Sequence, residues 1–274
     1  MPDGPSDRRL DSPAIARRTP APPVANLERP DESPFDQHGF QSRFEWGVSG
    51  VRLLAPIVDL VVIVDVLSFS TAVSIAVEFG ARVVPYPYRD GTAAAYARSI
   101  GATLASLNRT APGPTLSPAS LATLRPGETV VLPSPNGSSC AVEAAGAGAM
   151  VVAGCLRNAS AVGQLVAGHG GAVAVIAAGE QWPDGSLRPS VEDLIGAGAI
   201  LSASDPATLS PEARAAVGAF RTVRSRLDAA LGESASGREL VAAGFGVDVQ
   251  LAAELDATDI VPVLVDGAFG GGMG

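Results

Sequence analysis

Short uninterrupted apolar runs alternate with alanine-rich stretches along most of the chain, and polar turns join them. Leu60–Val64 (LVVIV) has no polar break, the pattern of a strand covered on both faces. A polar-punctuated turn follows from Asp65 to Ser70, and Thr71–Phe79 reads as a helix stopped by Gly80. Arg82–Tyr86 reads as a second strand and Gly91–Ile100 as a second helix. Thr129–Leu132 is a strand, residues 133–138 a turn, and Ser139–Ala147 a helix. Met150–Ala153 and Ala172–Ala177 are strands, with a helix near Ala159–Ala167 between them. Ser190–Ala203 and Pro211–Leu231 are helical, and Ile260–Val265 is a late strand. In the 211–231 segment Val217, Phe220, Val223, Leu227 and Leu231 recur three or four apart on one face, behind a Ser210 cap and Pro211. Ser190 with Asp193, and Ser236 with Glu239, are spaced as capping boxes.

Repeated strand–turn–helix units predict an α/β fold: a mostly parallel sheet with helices on both faces. The boundaries are set by what surrounds them. Residues 1–35 are rich in Pro, Arg, Asp and Ser without periodicity and read as a disordered tail. The α/β domain is expected over residues 36–266, with an excursion at 102–127 and a flexible glycine-rich tail at 267–274.

Composition removes several classes of function. The 274 residues suffice for one large α/β domain or two small ones. All 19 basic residues are arginines, so no mechanism can use a lysine Schiff base or a P-loop lysine. A net charge of −9 without a basic run argues against nucleic acid as a partner. Two cysteines, Cys140 and Cys155, cannot build a disulfide framework, and His38 and His169 are not spaced as zinc ligands. The most apolar stretch, Leu53–Leu67, is interrupted by Pro56, Asp59 and Asp65, so no membrane span is expected. Nor does the start of the chain resemble a secretory signal, and a cytoplasmic protein is expected.

In an open parallel sheet, ligands gather beyond the carboxyl ends of the strands. Asp65, Ser68, Ser70 and Thr71 follow the first of these strand ends. Ser134, Asn136, Gly137, Ser138 and Ser139 follow the next, then Cys155, Arg157 and Asn158. Gly179 and Glu180 come after Ala172–Ala177, ahead of a loop to Ser190, Glu192 and Asp193. Hard oxygen ligands of this kind suit Mg2+, while hydroxyls and free N–H groups at helix starts suit a phosphate. Together they describe a metal-assisted site for a phosphorylated acid. Each part also has a plainer reading. Asp65 can cap the helix behind it, SPNGSS (134–139) is a turn signal anywhere, and two acids in a first helical turn suit the macrodipole.

The order DVLSFSTAV (65–73), SPNGSS (134–139), CLRNA (155–159), AAGE (177–180) and SVEDLIGAGAI (190–200) resembles the 2-phosphosulfolactate phosphatase family. SGREL (236–240), Gly244, Asp248 and Val261-Pro262 continue the resemblance, which runs from about residue 40 to 265. It implies a magnesium-dependent phosphoric monoester hydrolase that converts (2R)-phospho-3-sulfolactate to 3-sulfolactate, a step of coenzyme M biosynthesis. Asp65 matches the family's strand-end aspartate, Asn136, Gly137 and Ser138 its Thr-Asn-Gly-Thr turn, and Glu192 and Asp193 its Glu-Asp pair. On this reading Asp65 and Glu192 hold the metal, and Asp193 is a catalytic acid or base beside them. Ser68, Ser70, Thr71, Asn136, Gly137, Ser138, Ser139, Arg157, Asn158 and Arg188 bind substrate, with Arg157 or Arg188 answering its carboxylate or sulfonate.

Two departures stand out. Ser68 and Phe69 replace the arginine and alanine of the family's Asp-Val-Leu-Arg-Ala-Thr, and Leu116-Ser117-Pro118 is all that remains of its Gly-Asn-Ser-Pro. The first removes a cation from the implied substrate site. Leu67 also stands where an Asp-x-Asp phosphatase carries its second acid, which favours attack by water. The alternatives are a phosphatase for another acidic substrate and a non-catalytic binder of a small anionic metabolite. An oxidoreductase binding a dinucleotide is excluded, because DVLSFS offers no glycine for the pyrophosphate. Symmetry statistics favour a homodimer if the chain assembles.

Overall fold

The computed structural model describes residues 33–88 and 90–271. Among the described residues eleven strands run β1 (Ser42–Trp46), β2 (Leu60–Val64), β3 (Arg82–Tyr86), β4 (Thr103–Leu104), β5 (Thr129–Pro133), β6 (Met150–Gly154), β7 (Val173–Ala177), β8 (Glu180–Gln181), β9 (Leu187–Arg188), β10 (Pro262–Val265) and β11 (Ala268–Gly271). Nine form one sheet in the order β1-β7-β2-β6-β10-β11-β3-β5-β4, and β8–β9 is a separate short hairpin. β1, β7, β2 and β6 are mutually parallel, as are β3, β5 and β4. Between these blocks lies the antiparallel hairpin β10–β11, joined to each by one bridge: Val263 opposite Val152 and Phe269 opposite Val83.

β2 reads as an unbroken apolar run because helices cover both of its faces. Leu60, Val62 and Val64 pack with Val173 and Val175 against the helices Ala159–Gly168, Val191–Leu201 and Pro211–Val223. Val61 and Ile63 point the other way, into the helices Gly47–Leu54, Phe69–Glu78 and Gly137–Gly146. That second layer also holds Val83, Val130 and Leu132 from the β3–β5 block, so one apolar core spans both parallel blocks.

Several expectations need correction. The tail expected from residue 267 instead begins with β11, which closes the gap between the two blocks, and Phe269 is fully buried. A glycine-rich end can be a strand when a hairpin partner supplies the ladder; residues 272–274 lie outside the described residues, as do 1–32 of the expected tail. The 211–231 helix breaks at a 3-10 turn, Arg224–Arg226, before resuming as Leu227–Glu233. Ser210 does cap it, accepting from Ala213 N at 3.1 Å. Neither capping box forms. Ser190 Oγ is buried without a hydrogen-bond partner, and the helix Ala235–Ala242 is capped by Ser234, not Ser236. The 102–127 excursion packs on the domain, within which it was expected: Ser106 bridges Thr115, and Leu121 of the short helix Pro118–Leu121 is fully buried.

Candidate active site

The ends of β2, β5 and β7 deliver the polar residues that meet. Asp65 leaves β2 and turns its carboxylate onto two helix starts at once. Its Oδ1 accepts from Phe69 N at 3.0 Å, and its Oδ2 accepts from Gly137 N, also at 3.0 Å. Each N–H is an orphan donor of a first helical turn, and an anion there is further favoured by the helix dipole. The Asp65 N–H in turn donates to Ser70 Oγ at 3.1 Å, locking the turn. Gly137 is required by this geometry. A methyl at its Cα would stand 2.7 Å from Asp65 Oδ2 and closer still to the Phe69 ring.

Asp193, in the first turn of the helix Val191–Leu201, performs a parallel task for two strand ends. Its Oδ1 accepts from Val66 N at 2.7 Å and its Oδ2 from Gly179 N at 2.9 Å, tying the β2 exit to the β7 exit. Gly179 presents that N–H from φ +67°, a conformation that disfavours a side chain. Glu192 is buried beside Asp193, and its side chain makes no hydrogen bond among the described residues. Glu180, on β8, accepts from Asn136 Nδ2 at 2.8 Å.

Four carboxylates therefore share a small volume. Burial, and next the charge of Glu180, push the Asp65 carboxyl up to about 7, against the pull of its two backbone N–H partners. Asp193 is held well above its ordinary value by burial first, then by Asp65 and Glu192. Groups so displaced are candidates for a functional site. Of the four, Glu180 lines a pocket of ≈160 Å³, together with Asn136, Pro135, Trp46 and Leu187 among others.

Residues 52–267 match the family model for 2-phosphosulpholactate phosphatase. The chain belongs to the 2-phosphosulpholactate phosphatase family. No protein of curated function matches it. Membership makes it a phosphatase, a phosphoric monoester hydrolase, and the α/β architecture with a large, mostly parallel sheet accords with the family. Among the described residues no helix is long and apolar enough to cross a membrane.

At this candidate site Asp65, Asn136, Gly137, Glu192 and Asp193 lie together at the strand ends. The hydroxyls do not. Ser70 Oγ donates to Ile63 O, Thr71 Oγ1 to Val66 O, and Ser138 Oγ to Leu132 O, each at 2.8–2.9 Å. A short hydroxyl in a first helical turn can fold back onto a nearby backbone carbonyl in this way. Ser139 is half-buried next to Ser138.

Arg157 and Asn158 are also redirected. Arg157 forms ion pairs with Glu254 and with Glu78, the latter at 3.2 Å, at the far end of the helix that Phe69 begins. Asn158 accepts from Cys155 N and donates to the carbonyls of Ala153 and Ile260, a buried brace. Arg188 donates to Ser236 Oγ at 3.1 Å and lies over the Trp182 ring. It pairs across the β8–β9 hairpin with Glu180, at the rim of the site.

The structure adds a cation that motif spacing did not single out. Arg109, from the 102–127 excursion, donates through Nη2 to Ser68 Oγ at 2.8 Å and through Nη1 to Asp248 Oδ2 at 2.9 Å. Asp248 is fully buried and also accepts from Ser117 Oγ at 2.6 Å. The only sequence signal for this partnership was Asp248 and Ser117 falling inside the family-like segments, 131 residues apart.

Proposed function

We propose that the chain removes phosphate from a small phosphorylated hydroxy acid, (2R)-phospho-3-sulfolactate, in a Mg2+-dependent reaction. The observation that carries this reading is the buried carboxylates of Asp65, Glu192 and Asp193, with half-buried Glu180 beside them, at the meeting of three strand ends, with Asp65 pushed up to about 7. Buried acids that repel one another call for a dication.

The donor set fits magnesium. Among the described residues no three His, Cys, Asp or Glu side chains form a ligand cage. Magnesium asks for less, since it keeps several waters and takes one or two carboxylates plus the substrate phosphate. Asp65 is fixed by two N–H bonds, and the Glu192 side chain is buried with no donor among the described residues; these two would hold the ion. When bound, it neutralises phosphoryl charge and acidifies water.

The residues supply the rest. Water attacks phosphorus, a P–O bond forms, the ester P–O bond breaks, and the departing alkoxide takes up the proton that the attacking water has given to the base. Both Asp65 oxygens already accept backbone N–H bonds, which suits a fixed ligand better than an attacking nucleophile. Both Asp193 oxygens are likewise engaged, so Asp193 positions the strand ends. Glu180, anchored by Asn136 at the pocket wall, takes the proton of the attacking water instead. Calorimetric titration of magnesium tests the metal assignment. One ion per chain is expected, with binding lost in Glu192→Gln; no binding by the folded wild type would overturn it.

A further inference from the structure

We propose that Asp248 is a positioning residue: through Arg109 and Ser68 it fixes the turn on which Asp65 enters the site. The proposal rests on the phosphatase reading above, which requires a fixed Asp65 carboxylate. Asp248 is an acid that the reaction itself does not use, with a side chain only 1% exposed. Both of its oxygens are engaged. Oδ2 accepts from Arg109 Nη1 at 2.9 Å, while Oδ1 accepts from Ser117 Oγ at 2.6 Å and from Ala119 N at 3.4 Å. The other guanidinium nitrogen, Arg109 Nη2, donates to Ser68 Oγ at 2.8 Å. A planar guanidinium holds two acceptors at a fixed separation, which a lysine ammonium does not.

Ser68 is where this clamp meets the site. It is buried at the N-cap of the helix Phe69–Glu78, yet its hydroxyl does not cap that helix. An N-cap serine ordinarily turns its oxygen onto an N–H of its own first turn. Here the guanidinium takes that oxygen, and Asp65 Oδ1 receives Phe69 N instead. The turn is closed locally by Ser70 N on Asp65 O and Thr71 Oγ1 on Val66 O, both at 2.8 Å. Its attachment to distant elements brackets it: Asp193 holds Val66 N, and Arg109 holds Ser68 Oγ. The Phe245 ring, 5.7 Å from the guanidinium carbon, backs the second tie.

Ser68→Ala severs the clamp at the site end and leaves Arg109 on Asp248; the Arg109 side chain keeps 18% of its surface open, so water can take the freed donor. Amide hydrogen exchange, followed by NMR, reads the placement of Asp65 directly. Phe69 N and Gly137 N both donate to its carboxylate, and Gly137 begins a different helix. Both amides should exchange faster by about 10-fold, while those of Val151 and Val175 in β6 and β7 stay within about 2-fold of wild type. With magnesium and phosphosulfolactate, kcat should fall by about 10-fold or more and KM stay within about 2-fold, because misplacing a group at the reacting centre costs turnover. Unchanged exchange at Gly137, unchanged kcat, or equal acceleration at all four amides overturns the proposal, the last by showing a general structural role. Should Ser68→Ala fail to fold, Arg109→Lys, which keeps a charge without the fork, carries the same comparison with smaller changes. If wild type hydrolyses no phosphosulfolactate, the phosphatase reading has failed, and the exchange comparison alone decides for the clamp.

Discussion

Asp65 Oδ2 accepts a hydrogen bond from Gly137 N at 3.0 Å, joining the end of β2 to the first turn of the helix that follows β5. The same carboxylate caps the helix beginning at Phe69. The cap and ligand readings of Asp65 are thus compatible: capping two helices fixes the carboxylate with no freedom left to swing away.

Asp65→Asn separates those tasks. An amide has one acceptor oxygen where the carboxylate uses two, so one helix start loses its cap at a cost of about 1 kcal/mol. Phosphate release should fall by at least about a hundredfold, because the metal-side charge goes as well. Thermal melting and phosphate assay on the same preparation check both parts.

Gly137→Ala tests the close approach. The added methyl meets Asp65 Oδ2 and Phe69, neither of which can retreat from the core. We expect a loss of about 1–3 kcal/mol, typical of overpacking, together with a fall in kcat, both measurable by denaturant titration and steady-state kinetics.

Metal-free protein should lose stability as pH rises from about 4 to about 7. Asp65 is raised in the folded state, so within that window the folded chain binds more protons than the unfolded chain. The raised Asp193 acts in the same direction. Magnesium should therefore raise Tm more at pH 8 than at pH 5.5, and Asp65→Asn should flatten the metal-free profile. A metal-free Tm that climbs across this range would contradict the assignment.

Arg157→Met should destabilise without touching catalysis. It breaks the pairs with Glu78 and Glu254, both partly exposed. The expected cost is about 1–3 kcal/mol, below that of a fully buried pair. Unfolding should shift while KM for the phosphoester stays constant; a raised KM would return Arg157 to the substrate site.

What was legible in the sequence follows the physics of each signal. β2 and β3 fall at their expected residues because apolar runs flanked by turns are local patterns. Asp65, Asn136 and Glu192 were legible since a parallel sheet brings its strand ends together regardless of detail. β11 was not, because its glycines carry no pattern and its pairing is supplied by β10. The hydroxyls of Ser70, Thr71 and Ser138 misled for a related reason: sequence shows a donor, and only the fold shows the carbonyl already waiting for it. Arg109 was hidden because its meaning depends on Ser68 and Asp248, 41 and 139 residues away.

The most direct measurement is phosphate release from phosphosulfolactate by wild type and Asp65→Asn, each with magnesium and with EDTA. The account predicts turnover by wild type only with magnesium, abolished by EDTA, restored by added magnesium, and missing from the folded variant. Full turnover in EDTA, or equal turnover by Asp65→Asn, would contradict it.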